Sequence, residues 1–292
     1  MSDLAKRWAV AAVGIPAVLG LLYLGGWPLA VPVAGLAVLG SLECHRLAAR
    51  GGVAALRLVG AVGAAGFVLL AAWRPTFGGF APLALGLVVA LTAAALVGAI
   101  GTRHPEDKPL ASVAVTLFGG VYVGLPLAFV PLLHALPGTH GWSVAEAAWA
   151  GALVVALPLA ATWLGDAAAL FVGTAWGHGG LAPTISPNKS WVGVWGGLAG
   201  AVLAGVVWFV VADQHLPGMP VPGPLIAVLL GLLLGIAAIV GDLAESLMKR
   251  DAGVKDSGSF FPGHGGVLDR LDALIFTLPA AYVALVVLEA AQ

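Results

Sequence analysis

The chain has 292 residues, of which 60% are hydrophobic and 9% charged, and its mean hydropathy is +1.02. A soluble domain carries roughly 25% charged residues, so this composition excludes a soluble globular protein and points to one embedded in lipid. A formal net charge of −1 gives no basic field for nucleic acid, and a single cysteine, Cys44, excludes an intrachain disulfide framework and a cysteine-rich metal site.

A membrane-spanning helix needs roughly 20 mostly apolar residues. Nine segments qualify in chain order: 8–25, 27–44, 55–73, 80–100, 113–136, 147–165, 191–212, 222–242 and 271–290. Lys6 and Arg7 precede the first run, as in a signal peptide. Similar runs recur along the whole chain, so the first is read as the first span. Gly25, Gly26 and Trp27–Pro28 separate the first two segments and suit a tight hairpin. The 42 glycines suit close helix–helix approach in lipid. Cys44 falls at the end of the second segment and is expected to be packed as an apolar residue. No strand-rich segment or short-period repeat stands out. The expected fold is all-α: a polytopic helical membrane protein forming one domain over 1–292. Its N-terminal spans occupy about 1–136, and the spans and loops that carry chemistry about 147–290.

Lys and Arg favour cytoplasmic loops. With the N-terminus cytoplasmic, twelve of the thirteen basic residues fall inside and only Arg74 falls outside. The C-terminus is then outside. Two inside loops stand out, a Gly, Pro and Ser-rich one at about 173–190 and a charged one at about 243–270. His140 and His215 lie in outside loops and His178 in an inside one, and all three are read as solvated loop residues.

Ionisable groups in membrane helices are costly and mark candidate sites. Asp166 ends the sixth segment and Asp242 the eighth. At helical spacing Asp242, Ser246 and Lys249 share one face. That face is either a helix end with an internal salt bridge or a site where a carboxylate, a hydroxyl and an ammonium converge. The following loop holds Lys249, Arg250, Lys255 and Arg270, four cations suited to a polyanion. Pro262-Gly263-His264-Gly265-Gly266 implies a sharp turn whose N–H groups can meet phosphate oxygens. Asp242, Asp269 and Asp272 offer hard oxygen ligands to Mg²⁺, which binds through one or two carboxylates plus substrate phosphates. Together these features suggest phosphoryl or nucleotidyl transfer. In the first loop, Ser186-Pro187-Asn188-Lys189-Ser190 reads either as a phosphate contact at a helix start or as N-capping by Ser190 beside a snorkelling Lys189.

The run Ser246-Leu-Met-Lys249-Arg250, then Lys255-Asp256, then Pro262-Gly-His264-Gly265-Gly266-Val-Leu-Asp269-Arg270-Leu-Asp272 resembles the signature of phosphatidate cytidylyltransferases (CDP-diacylglycerol synthases). The resemblance extends to Asp166, to Ser186–Trp191, and to Glu43 and Arg46 after the second segment. It implies the reaction CTP plus phosphatidate to CDP-diacylglycerol plus pyrophosphate, with Mg²⁺ and a monovalent cation such as K⁺ as a further occupant. It also implies nine spans, a homodimer and a site at the cytoplasmic face, in what compact length suggests is a bacterial plasma membrane. By the resemblance Asp242 and Asp269 hold the metal, with Asp272 as a further candidate. Lys249, Arg270 and His264 join them as catalytic candidates. Ser186, Lys189, Ser246, Arg250, Lys255, Asp256, Gly265, Gly266 and Asp166 are the substrate-binding candidates. His264 either donates to departing pyrophosphate or only fixes the turn. One departure stands: the family commonly has Glu where this chain has Val192. Two other readings fit part of the pattern. A CTP-dependent lipid-alcohol kinase would release CDP. A transporter could use Asp166 and Asp242 as an ion path, but would more often repeat such features in both halves.

Overall fold

Helices apolar on all sides, with few charges to interrupt them, form wherever the chain is long enough to cross lipid. A computed structural model of the protein describes residues 3–139, 143–215, 223–260 and 265–291. In order come α1 (Asp3–Leu24), α2 (Gly26–Arg50), α3 (Arg57–Trp73), α4 (Phe77–Thr102), α5 (Pro109–Leu127), α6 (Phe129–Ala135) and α7 (Val144–Trp176). A short antiparallel hairpin, β1 (Gly180–Ala182) and β2 (Ser186–Ser190), precedes α8 (Trp191–His215). Then come α9 (Pro224–Asp251), α10 (Leu268–Leu271) and α11 (Leu274–Ala290).

The protein is thus an all-α polytopic membrane protein. Among the described residues seven helical stretches are long and apolar enough to cross a membrane, and two shorter apolar ones, Gly14–Leu24 and Arg57–Trp73, accompany them. Each of the nine expected segments overlaps one of these stretches. The α1–α2 connection is as tight as expected: Gly25 and Gly26 take φ of 59° and 49°, a region open to glycine. His134 on α6 closes the same corner, donating from Nε2 to the Leu22 carbonyl at 2.8 Å. Pro131 has no N–H to offer the Leu127 carbonyl, and the helix is interrupted at Ala128 between α5 and α6.

Three boundaries differ from expectation. Helix α7 does not end at Asp166 but runs ten residues further, to Trp176, because Ala167–Trp176 is itself apolar and rich in helix formers. Helix α9 does not end at Asp242 but continues to Asp251 through Leu243–Lys249, all good or neutral helix formers. The expected loop at 173–190 is therefore the end of α7 followed by the β1–β2 hairpin. In it Gly180 pairs with Ser190 and Ala182 with Ser186. His215 is the last residue of α8, and is exposed.

Two compact units divide the chain, Met1–Leu136 with Met248–Leu271 and Pro137–Leu247 with Asp272–Gln292. In the first, α2, α3 and α5 pack around buried side chains that include Phe67, Val123 and His45. His45 sits against α5 and donates to the Thr116 carbonyl at 3.3 Å. Cys44 is buried, as expected of an apolar residue. In the second unit α7 and α8 lie against each other along small residues. A Cβ at Gly193 would stand 3.2 Å from the Ala169 carbonyl, and one at Gly173 would stand 3.4 Å from the Gly193 Cα. Backbones this close need small residues on both sides.

Candidate active site

Each unit holds one polar cluster. In the second unit, helix α9 carries Asp242 toward β2, where Lys189 meets its Oδ2 as an ion pair. One turn further along α9, Ser246 donates from Oγ to Asp242 Oδ1 at 3.4 Å. Beside the pair lies a cavity of about 350 Å³, whose lining includes Asp166, Gly173, Asn188, Lys189, Ser190 and Asp242. A volume of this size is at the lower end of what small-ligand pockets show. Ser190 does what an N-cap should, accepting from the Gly193 N–H at 3.1 Å. Lys189 does not snorkel away; it turns to Asp242. Ser186 begins β2 and is not among the residues lining the cavity. Val192 is half-buried in the first turn of α8. Asp272 is half-buried, and its Oδ1 accepts from the Ala273 N–H at 2.7 Å.

In the first unit the residues around Asp269 form a tight knot. Asp269 Oδ2 accepts from the Ser257 N–H at 2.9 Å and from the Gly266 N–H at 2.7 Å, and stands 3.0 Å from Ser257 Oγ, whose one proton it shares with Glu43. Lys249 Nζ donates to Asp269 Oδ1 at 2.8 Å, and both side chains are largely buried. Charge-assisted bonds of this kind are among the stronger ones. Gly265 takes φ 82°, a conformation open to glycine, while the first three residues of the expected turn lie outside the described residues. The Gly266 N–H of that turn is spent on Asp269 rather than left open. His264, with Pro262 and Gly263, lies outside the described residues, as does His140. Arg250 donates to the Val254 carbonyl at 3.3 Å, which folds the chain back at the end of α9. Arg270, Lys255 and Asp256 are exposed. A second cavity, about 330 Å³, is lined by Arg46, Leu47, Arg50 and Asp256–Ser259.

Glu43 is the residue that composition and spacing do not bring forward. Its side chain is 1% exposed, and Oε2 accepts from Ser257 Oγ at 3.0 Å and from the Leu268 N–H at 2.8 Å. The signal is present in the sequence: an ionisable residue near the end of an apolar stretch, the same feature that marks Asp242.

Each cluster pairs a carboxylate with an ammonium and adds hydroxyls. Such a set can hold a cation through its oxygens and meet phosphate through its nitrogens. Among the described residues no three His, Cys, Asp or Glu side chains gather as an all-protein metal cage. That donor set fits Mg²⁺, which takes one or two carboxylates and completes its shell with water and substrate phosphates. Asp242 and Asp166 on one cavity supply such oxygens.

Residues 5–288 match the cytidylyltransferase family. Over 97% of its length the chain is 34% identical to a phosphatidate cytidylyltransferase of Synechocystis, and the match covers 97% of that protein. A phosphatidate cytidylyltransferase of Brucella suis is 42% identical over 49% of this chain and 57% of its own length. One from Mycobacterium bovis is 35% identical over 61% of this chain and 52% of its own.

Proposed function

The chain belongs to the cytidylyltransferase family, enzymes of the nucleotidyltransferase class, and from that premise we propose that it converts CTP and phosphatidate to CDP-diacylglycerol and pyrophosphate. The observation that carries this reading is the end-to-end likeness to the Synechocystis protein, at 97% coverage of both chains. A phosphate monoester has its second pKa near about 6, so phosphatidate is already largely an anionic nucleophile at neutral pH and needs no strong general base. One of its phosphate oxygens bonds to the α-phosphorus of CTP. The bridging bond between the α- and β-phosphates breaks, and its electron pair leaves with pyrophosphate. No net proton transfer is required. The difficulty is bringing two polyanions together, and cations and positioning meet it.

The residues divide that work. Lys189 sits on the cavity beside Asp242 and can exchange its carboxylate partner for a phosphate oxygen. Ser246 holds the other Asp242 oxygen, and Asp166 faces the same cavity. Asp242 supplies oxygens for Mg²⁺, with Asp272 as a further donor. In the first unit Asp269 keeps the ligand role that the family resemblance implies, with Lys249 as its neutralising partner. Arg250, Lys255 and Arg270 offset phosphate charge, and Asp256, Gly265 and Gly266 shape the loop that carries them. His264 either donates to the departing pyrophosphate or fixes the turn, and Ser186 steadies the hairpin. Bound Mg²⁺ would neutralise charge on the phosphates, and K⁺ is a candidate second cation. The enzyme works as a homodimer in a bacterial plasma membrane with its site facing the cytoplasm. The one-sided distribution of Lys and Arg and the bacterial relatives support that placement. Phosphatidate enters laterally, its acyl chains remaining in lipid.

Purified protein in mixed micelles tests this reading. Pyrophosphate release that requires phosphatidate, stops with EDTA and returns with added Mg²⁺ supports it. Turnover with a lipid alcohol in place of phosphatidate contradicts it and favours the kinase.

A further inference from the structure

We propose that Glu43 is a positioning residue for the reaction: through Ser257 and Leu268 it fastens the chain that leads into α10, and with it Asp269, to helix α2. The proposal rests on the reading of Asp269 as part of the reaction site. A carboxylate this deeply buried is expensive unless donors meet it. The donors here come from the far end of the sequence. Oε2 takes the Ser257 hydroxyl at 3.0 Å and the Leu268 N–H at 2.8 Å. The same Ser257 hydroxyl stands 3.0 Å from Asp269 Oδ2. One serine thus lies between the α2 carboxylate and the Asp269 carboxylate. Its own N–H, at 2.9 Å from Asp269, ties the two ends of the loop together. Oε1 is buried without a hydrogen bond among the described residues, and Arg46 Nη2 stands 3.6 Å from it.

The glycines of the loop give an independent observation. A Cβ on Gly258 would fall on Glu43 Oε1, and one on Gly266 would fall on Ser257 Oγ and Glu43 Oε2. Gly258 and Gly266 are therefore bare because the Glu43 carboxylate fills the space beside them. Sequence alone put Gly266 in a turn whose N–H groups can meet phosphate; in the structure its N–H goes to Asp269 and the space beside it is filled by Ser257 and Glu43. A buried ion pair or carboxylate is a poor way to gain stability, and an apolar residue of similar size often does as well. What the charge supplies is direction. It fixes Ser257 and Leu268 from one side, so that Asp269 is presented in one orientation to Lys249. Outer residues that orient ligands in this way typically cost about 10- to 100-fold in activity or metal affinity when removed.

The test compares wild type, Glu43→Gln and Ser257→Ala in detergent by hydrogen exchange, thermal unfolding and steady-state kinetics. Exchange at the Ser257, Gly266 and Leu268 amides should quicken in both variants while α3 and α5 stay protected. The unfolding midpoint should hardly move. The kcat should fall about 10- to 100-fold, and half-maximal rate should require more Mg²⁺. The double variant should lose no more than the worse single one, because both act through one path. Unchanged exchange in the loop, or quickened exchange with undiminished kcat, overturns the proposal. If Glu43→Gln does not fold, Ser257→Ala decides alone, since it removes only the bridging hydroxyl. Quickened loop exchange in a protein whose wild type transfers no cytidylyl group would remove the proposed function and leave the anchor standing.

Discussion

Lys189 and Asp242 show how much of a site one ion pair can set. Lys189 comes from a strand and Asp242 from a helix, and both face the same cavity. Replacing Lys189 by Met should lower kcat/KM for CTP by roughly 10²-fold, in the range seen when one preorganised charge donor is lost. Asp242→Asn should be at least as damaging, and the double variant little worse than Asp242→Asn alone. Steady-state kinetics in micelles reads both, and additive losses would separate the two residues. Asp242 and Lys249 were legible as candidates because charge inside apolar sequence is rare, and Ser246 because helical spacing puts it on their face. Their partners were not. The spacing on α9 allowed either an internal bridge or a convergent site; Asp242 pairs with Lys189, 53 positions upstream, and Lys249 with Asp269, 20 downstream. Helical periodicity reports only neighbours on one helix, and both ion pairs are made between elements.

At the scale of elements, apolar length located the helices well and their ends badly. A bilayer core of about 30 Å sets how much helix must be apolar, but nothing stops a helix from running on into water. Helix α7 has 33 residues and at 1.5 Å per residue spans about 50 Å. The span-length rule therefore cut it at Asp166 and cut α9 at Asp242. The β1–β2 hairpin was also missed, since Gly, Pro and Ser spell a turn without fixing the short strands on either side. The approach to Asp269 makes the complementary point. Ser257 and Leu268 there bond to Glu43, more than 200 residues away, a pairing that helical periodicity does not reveal. Gly266→Ala should therefore act as a loop variant, quickening exchange at Ser257 and Leu268 and lowering kcat, as a Cβ there collides with the Glu43 carboxylate. Wild-type exchange and rate in Gly266→Ala would show that the loop tolerates displacement. At the α7–α8 seam, Gly193→Leu should destabilise the protein by about 1–3 kcal/mol through overpacking, read as a lower unfolding midpoint in detergent.

For the whole molecule, membrane embedding followed from composition, since 9% charged residues cannot cover a soluble surface, and the all-α class from the recurring apolar segments of spanning length. Orientation is the claim made at this scale. The proposed orientation, with twelve basic residues on one side and Arg74 on the other, predicts Lys255 in the cytoplasm and Arg74 outside. In a background with Cys44 replaced by Ala, a cysteine at position 74 should react with an impermeant maleimide on intact cells. One at position 255 should react only after permeabilisation. The reverse pattern would invert the topology and move the charged loops to the outer face, away from CTP.

The central claim is that a cytidylyl group, not a terminal phosphate, passes to the lipid. CTP labelled at the α-phosphate and CTP labelled at the γ-phosphate separate the two directly when each is incubated with purified protein, phosphatidate micelles and Mg²⁺. The account predicts α-label in the lipid and γ-label in pyrophosphate, in equal amounts, both lost in Asp269→Asn. Label from the γ-phosphate in the lipid, with CDP released, would contradict it.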